Sequence, residues 1–220
     1  AIDKKIADEQ AIIIEQSEKV KSKFVEMFGR LSQYKVIPFE LTTTYFEDGD
    51  WIETKDQSDE GIRLLQVGNI GDGFYVEKNK LAKYISPETF GRLHCKEVFG
   101  GDILVSRLPS PVGRACIIPS VPYRMITAVD CTIIRFDSSI LNKYYFLELT
   151  HTEYWDNQMK QIITGISRNR ISRSNLGAVA MPLPSIEIQN QFANFAIECD
   201  KLKFEAQKFI EKSLRNKSLK

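Results

Sequence analysis

Apolar residues recur at alternating intervals of three and four at both ends of this 220-residue chain. Near the N-terminus the pattern runs through Ile6, Gln10, Ile13, Ser17, Val20, Phe24 and Met27. Near the C-terminus it runs through Ile188, Phe192, Phe195, Cys199, Leu202, Ala206, Phe209 and Ser213. Such spacing is typical of helices that pack along one apolar seam. The sequence therefore predicts two long helices, one over residues 3–28 and one that begins at Ser185.

The order of these segments predicts that the two helices pair antiparallel as a coiled coil. The first helix enters the intervening segment at its C-terminal end, and the second leaves that segment at its N-terminal end. In the predicted register, Phe24 lies opposite Phe195. The predicted interface consists of seam residues from both helices: Ile6, Ile13, Val20, Phe24, Met27, Phe192, Phe195, Cys199, Leu202 and Phe209. Separate packing of each helix on the globular body is one alternative, and a domain-swapped homodimer is another.

The segment between the helices combines strand-like runs with one helical stretch. Runs rich in β-branched residues occupy 62–67, 103–106, 114–118 and 131–136, and glycine- or proline-rich turns separate them. A mostly helical stretch follows from about residue 140 to 162. These patterns predict an α+β fold with a helix at 1–29, a globular domain at 30–184 and a second helix at 185–220.

Two long stretches of the chain contain no acidic residue, although the net charge is only +1. Residues 103–129 carry Arg107, Arg114 and Arg124, and residues 157–186 carry Lys160, Arg168, Arg170 and Arg173. Positive charge undiluted by carboxylates is what contact with nucleic-acid phosphates requires. Two surface loops that lack acids by chance are the simpler alternative.

Within these stretches, the side chains suited to DNA contact cluster around residues 160–170. Arginine pairs readily with guanine, and asparagine and glutamine suit adenine. The predicted DNA-contact residues are Lys160, Gln161, Thr164, Arg168, Asn169 and Arg170, followed by Arg107, Ser110 and Arg114. Any one of these arginines could instead be a solvated loop charge or part of a structural ion pair. Trp51 and Trp155 could stack on bases, but packing in the core or at a hinge is the favoured interpretation.

Neither a metal centre nor a catalytic site is predicted. The chain has only two histidines, and its four cysteines (Cys95, Cys116, Cys131 and Cys199) form no C-x-x-C pair, so buried thiols in a reducing cytosol are expected. No P-loop, nucleophile elbow or dinucleotide fingerprint occurs. Glu53-Thr54-Lys55 matches a nuclease element, but Asp48 and Asp50 lie too near in sequence to be its separate-strand partners. The charged N-terminus and the lack of long apolar runs predict a cytoplasmic protein without membrane contact.

Five short motifs together resemble the type I restriction–modification specificity subunits. They are Asp-Gly-Asp-Trp at 48–51, the Gly-Ile-Arg-Leu-Leu-Gln-Val-Gly-Asn-Ile segment at 61–70, Gly-Asp-Ile-Leu-Val-Ser-Arg at 101–107, the segment at 165–176, and Met-Pro-Leu-Pro at 181–184 followed by Gln189. They occur in the family's order. One departure is Ile188, because the family usually has glutamate directly before that glutamine. The N-terminal helix lacks the proline signature and resembles the end of the family's central spacer helix.

The resemblance implies a target-recognition domain held between two spacer helices. Specificity subunits read a split double-stranded DNA target, one half per recognition domain, and their helices dock two methyltransferase subunits. Motor–nuclease restriction subunits complete the enzyme, and the S-adenosylmethionine and ATP sites lie on those partners. The chain itself would then be non-catalytic and need no cofactor. A coiled-coil protein-interaction module without DNA readout is the alternative function.

Overall fold

The computed structural model describes residues 2–108, 111–164 and 169–218. The chain divides into two compact units, one of residues 1–34 with 184–220 and one of residues 35–183. Six helices occur in the described part of the chain: α1 (Ile2–Phe28), α2 (Pro87–Leu93), α3 (Lys143–Leu149), α4 (Glu153–Ile162), α5 (Arg173–Gly177) and α6 (Ile186–Ser218). The first and last form the helical unit, and the others belong to the globular unit.

In the helical unit, α1 and α6 pack against each other antiparallel, as predicted. Phe192, near the start of α6, makes edge-on ring contacts with Phe24 and Phe28, near the end of α1, at centroid distances of 5.4 and 5.6 Å. At the opposite end of the pair, Lys217 of α6 forms an ion pair with Asp3 of α1. Contacts at both ends therefore fix the direction and the approximate register of the two helices.

The buried seam of this pair differs in part from the predicted one. Its α1 side consists of Ile6, Gln16, Val20, Phe24 and Phe28, and Ile13 and Met27 are half-buried. Its α6 side consists of Gln189, Phe192, Ala193, Ala196, Cys199, Ala206, Ile210 and Ser213. Ile6, Val20, Phe24, Phe192 and Cys199 thus lie in the seam where the sequence predicted them.

The prediction that Leu202 and Phe209 lie in the seam is wrong. Both lie outside it, with 49% and 36% of their surface exposed. Phe195 is only half-buried. Between the shared positions, the seam passes one residue later than predicted: through Ala196 instead of Phe195, and through Ile210 instead of Phe209. The predicted and the observed seam of α6 share every second position. At the other positions the predicted seam has larger apolar side chains, so apolar character alone favoured it. Small residues in the observed phase allow the two backbones to approach closely.

Ten strands in the described part of the globular unit form three sheets. They are β1 (Lys35–Pro38), β2 (Thr43–Asp48), β3 (Ile62–Leu65), β4 (Lys83–Ile85), β5 (Glu97–Val98), β6 (Ile103–Ser106), β7 (Ala115–Ile117), β8 (Met125–Thr127), β9 (Cys131–Phe136) and β10 (Ala180–Leu183). The strand orders are β1-β10, β2-β9-β6-β7 and β4-β3-β8-β5. All neighbours are antiparallel except β3 and β8. This mixture of sheets and short helices confirms the predicted α+β class.

Each short helix of the globular unit begins at a residue whose side chain accepts a backbone N–H bond. Asn142, Thr152 and Ser172 cap α3, α4 and α5 in this way. The cap at Thr152 explains why the predicted helical stretch over 140–162 is two helices rather than one. An aromatic cluster packs α3 and α4 onto the sheet that contains β2 and β9: Phe39, Phe46, Phe136, Phe146 and Trp155.

No helix among residues 2–108, 111–164 and 169–218 combines the length and the apolar character that crossing a membrane would need. All four cysteines are buried free thiols, as the sequence predicted.

Candidate DNA interface

The turn between β6 and β7 brings the first acid-free stretch against helix α4. Ser106 N donates to Arg114 O at 2.8 Å and Gly113 N donates to Ser106 O at 2.7 Å, which closes the turn. Gly113 has a φ of +82°, and an added Cβ there would lie 2.6 Å from the Met159 sulfur of α4. Trp155, also on α4, donates from Nε1 to Gly113 O at 3.0 Å. A glycine is therefore required where this turn, termed loop 107–114, rests on α4.

The second acid-free stretch folds back on itself directly after α4. Thr164 N donates to Arg170 O at 2.8 Å, and Arg170 N donates to Thr164 O at 3.0 Å. Ile171 N then donates to Arg107 O at 3.3 Å, and Arg107 Nη1 donates to Ile171 O at 3.0 Å. The structure thus joins this segment, termed loop 163–171, to loop 107–114. Two stretches that are separate in sequence form one surface region.

Most of the predicted DNA-contact residues that the structure describes are exposed on this region: Lys160, Gln161, Thr164, Asn169 and Arg170. Within the described ranges, no ion pair involves Lys160 or Arg170. Arg114 is half-buried. Ser110 and Arg168 lie outside the described residues. The last turn of α4 and loop 163–171 therefore present amides together with two cations, Lys160 and Arg170, that no described carboxylate neutralises.

Arg107 does not belong in the set of DNA-contact residues predicted from the sequence, because only 2% of its surface is exposed. Its Nη2 lies 3.0 Å from Asp48 Oδ2 and also donates to Val129 O. Burial lowers the pKa of Arg107, and the charge of Asp48 opposes that shift. With its guanidinium bound to Asp48, Val129 and Ile171, Arg107 ties the two loops to the sheet and is not placed to contact DNA.

Arg173 also belongs to this structural network. Its guanidinium lies 3.2 Å from Glu47 and 3.8 Å from Asp48, and it donates to Phe46 O at 2.7 Å. The network holds α5, which follows loop 163–171, against strand β2. Arg107 and Arg173 each lie in an acid-free stretch, and this position predicted side chains without an ion pair. Carboxylates that are distant in sequence neutralise both.

The carboxylates in the family-like motifs have the same anchoring role. Asp50 accepts hydrogen bonds from Lys96 N at 2.8 Å and Lys96 Nζ at 3.1 Å. Asp102 binds Arg135 through two bonds of 2.9 Å and accepts a third, also 2.9 Å, from Phe99 N. Pairing with Asp102 raises the pKa of Arg135. These motif residues stabilise the fold that presents the loops.

Residues of the nuclease-like element are likewise engaged in ion pairs. Lys55 Nζ lies 2.6 Å from Glu53, and its hydrogen bond lowers the pKa of that glutamate. Asp56 pairs with Arg92, whose hydrogen bond lowers the pKa of Asp56. Within the described residues, no group of three or more His, Cys, Asp or Glu side chains is placed to hold a metal ion.

The two tryptophans occupy opposite environments. Trp155 is 1% exposed and packs in the aromatic cluster. Trp51 is 71% exposed, so the packing role expected for it is wrong. Because it directly follows Asp50, which is held by Lys96, its backbone is anchored while its ring is accessible to solvent.

Comparison with known proteins is consistent across sequence and fold. A curated relative is described as the MjaX type I restriction enzyme specificity subunit of Methanocaldococcus jannaschii, with 25% identity over 148 residues, 66% of this chain and 31% of the relative. The solved structure of a type I restriction–modification S subunit from M. genitalium shares the fold, with a TM-score of 0.61, 13% identity, and coverage of 99% of this chain and 56% of that one.

A chain from a structural study of complex assembly in a type I restriction–modification system also matches, with a TM-score of 0.57 and 16% identity over 99% of this chain and 54% of that one. This chain therefore spans about a third of the curated relative and about half of each solved chain. The model of the type I restriction modification DNA specificity domain matches residues 39–214. Because that match covers most of the sequence, the chain belongs to the family of type I restriction–modification DNA specificity domains.

Proposed function

We propose that this chain recognises one half of a bipartite double-stranded DNA target for a type I restriction–modification enzyme. The observation that carries the proposal is the union of loops 107–114 and 163–171 into one surface with exposed cations at Lys160 and Arg170. Ion pairs with carboxylates of the same domain neutralise Arg107 and Arg173, which also lie near these loops. The surface is therefore suited to a polyanion rather than to an acidic or neutral protein face.

In this proposal, some side chains read the bases and others position the domain on the DNA backbone. Arg170 can pair with the major-groove edge of guanine through two hydrogen bonds, and Asn169 can do the same with adenine. Lys160, on the last turn of α4, suits a phosphate because its ammonium group is a compact point charge. Loop 107–114 supports these residues and contributes Arg114. Arg168 and Ser110 remain proposed contacts of the same loops.

We further propose that the helical unit docks methyltransferase subunits. Ile188, Leu202 and Phe209 are exposed at seven- and fourteen-residue intervals on α6, which places them on one side of that helix. Phe204 is also exposed, and Lys208 Nζ lies 4.4 Å from its ring centroid. Exposed apolar residues along a helix are typical of a protein interface. The motor–nuclease subunits would join through the same complex, and the S-adenosylmethionine and ATP sites would lie on the partners.

The second candidate function is a protein-interaction module in which the helical unit acts without DNA readout. The exposed apolar residues of α6 favour it as much as they favour methyltransferase docking. Lys160 and Arg170, for which no ion pair occurs within the described ranges, distinguish the candidates, because a pure interaction module has no use for these cations. Salt separates them experimentally, since DNA binding weakens steeply with ionic strength and an apolar interface does not.

The decisive experiment is selection of bound duplexes from a random pool by the chain reconstituted with its methyltransferase subunit. We expect a short recurrent sequence for this chain, and relaxation of one position of that sequence in Arg170→Ala. Lys212→Ala in the helical unit serves as the matched control and should recover the original sequence. Recovery of random sequences by the intact complex would contradict the proposal.

A further inference from the structure

We infer that the connection between β3 and β4, together with Lys83, is a phosphate-binding surface that extends DNA contact beyond the two readout loops. This connection, residues 66–82, is termed the β3–β4 loop. The inference rests on the proposed DNA-binding function and adds a second, sequence-independent contact region to it.

The β3–β4 loop is an ordered hairpin rather than a loose excursion. Ile70 and Tyr75 pair as a β-bridge near its tip. Below them, Val76 N donates to Asn69 O at 2.9 Å, and Asn69 Nδ2 donates to Val76 O at 2.9 Å. Asn69 Oδ1 also accepts a bond of 2.9 Å from Gln66 N. The hairpin therefore presents its charges from a fixed backbone, which limits the entropic cost of binding.

The tip of this hairpin lies against elements that lead into the readout loops. Gly73 N donates to Ala115 O at 3.0 Å, on the strand that begins directly after loop 107–114. Gly73 has a φ of +85°, and a Cβ added there would lie 2.6 Å from the His151 ring. His151 immediately precedes Thr152, the N-cap of α4. The hairpin therefore adjoins the strand that follows loop 107–114 and the start of α4, whose other end carries Lys160 and leads into loop 163–171.

The acids of the hairpin are already engaged. Glu77 accepts hydrogen bonds from Tyr75 and Tyr123 at 3.1 Å each, and pairs with Arg63 at 3.3 Å. Asp72 lies 3.5 Å from the His151 ring. Glu77 also accepts a hydrogen bond of 3.0 Å from the backbone N of Lys78. No ion pair within the described ranges joins either carboxylate to a lysine ammonium of the hairpin.

The lysines of this region are not neutralised in the same way. Lys78 and Lys80 are exposed and Lys83 is half-buried, and no ion pair within the described ranges involves any of the three. Lys78 Nζ lies over the backbone of Gly68, where a Cβ would approach it to 2.6 Å. Lys96 and Arg124 of the same domain, in contrast, each pair with a carboxylate. Three uncompensated ammonium groups on one fixed hairpin suit a chain of phosphates.

The test is the salt dependence of duplex binding by the full chain, measured with Lys78, Lys80 and Lys83 all replaced by alanine. Each lost phosphate contact should lower the slope of log K against log salt by about 0.9. Affinity should fall alike for all sequences, because lysine–phosphate contacts carry no base information. A triple variant of the helical unit, with Lys21, Lys208 and Lys212 replaced by alanine, is the matched control and should keep the original slope.

Lys80→Glu alone, checked for an unchanged circular dichroism spectrum, provides a second variant if the triple one folds poorly. An unchanged slope in both variants would overturn the inference while leaving the proposed function intact. A changed sequence preference with an unchanged slope would overturn it too, since it would assign base readout to these lysines. If the unmodified chain showed no salt-dependent DNA binding at all, the proposed function itself would fail.

Discussion

Arg107 and Asp48 form an ion pair with 3.0 Å between Nη2 and Oδ2, and the arginine is buried. The two residues come from different family-like motifs, one ending strand β2 and the other following β6. Arg107 also donates to the carbonyls of Val129 and Ile171. This one guanidinium therefore connects the sheet, the turn before β9 and the end of loop 163–171.

Replacing Arg107 with methionine should destabilise the fold by about 3–5 kcal/mol, the usual cost of breaking a buried pair by removing one partner. The loss follows because Asp48 loses its ion-pair partner at 3.0 Å, and the carbonyl groups of Val129 and Ile171 lose the guanidinium as a donor. Urea unfolding measures the change. Arg170→Ala, at an exposed position without a described ion pair, is the control and should stay within about 0.5 kcal/mol of the original stability.

An Arg107→Met protein of unchanged stability but altered base preference would contradict this interpretation. That result would show that Arg107 contacts DNA in spite of its burial.

Phe192→Ala should destabilise the chain by about 3–5 kcal/mol, because it removes a buried ring that contacts Phe24 and Phe28. Leu202→Ala, on the exposed side of α6, should cost about 0.5 kcal/mol or less. Equilibrium unfolding of the two variants measures both values. Equal losses would place Leu202 in the seam and support the phase predicted from the sequence.

Arg170→Ala should cost about 1–3 kcal/mol in binding to the preferred duplex if this arginine reads a base. Lys160→Ala should weaken all duplexes alike and lower the salt slope by about 1, as the loss of the proposed phosphate contact requires. Fluorescence anisotropy with a preferred and a scrambled duplex distinguishes the two effects. A uniform loss in Arg170→Ala would reassign that residue to the DNA backbone.

Stability should fall as the pH rises above 9. Burial raises the pKa of Cys95 to about 11 and the pKa of both Cys116 and Cys131 to about 12, from an ordinary value of 9. The unfolded chain therefore loses thiol protons at a lower pH than the folded chain does, so ionisation favours unfolding. The stability that these protonated thiols contribute is full below pH 9 and declines as the pH rises toward 12.

Urea midpoints at pH 7, 9 and 10.5 test this dependence. Cys131→Ala, which removes one such thiol, should have a lower midpoint at every pH but a weaker decline above pH 9. A midpoint that is independent of pH across this range would contradict the burial of the thiols.

Local periodicity was sufficient to predict the two long helices, because a seam repeats every few residues along one element. The order of the segments along the chain then predicted their antiparallel direction. The phase of α6 was not predictable in the same way. Phe195 and Leu202 lie beside the seam although they are larger or more apolar than the residues that follow them, Ala196 and Lys203. Only the fit against α1 decides between the two phases. Strands such as β5, with two residues, are too short to leave a periodic signal.

The exposed surface around loops 107–114 and 163–171 was predictable in part, because the lack of acids is a property of sequence alone. What sequence could not show is which cations find carboxylate partners far along the chain. Arg107 forms an ion pair with Asp48 of a different strand. Lys160 and Arg170 form no ion pair with a carboxylate of the described residues. The same reasoning, applied to Lys78 and Lys80, identifies a basic hairpin that does not lie in an acid-free stretch.

The most direct test of the proposed DNA-binding surface is amide hydrogen exchange of the full chain with and without duplex DNA. We expect slower exchange at residues 107–114 and 158–171 when DNA is present, with no change along residues 186–218. Protection confined to the helical residues 186–218, or no protection in either loop at saturating DNA, would contradict it.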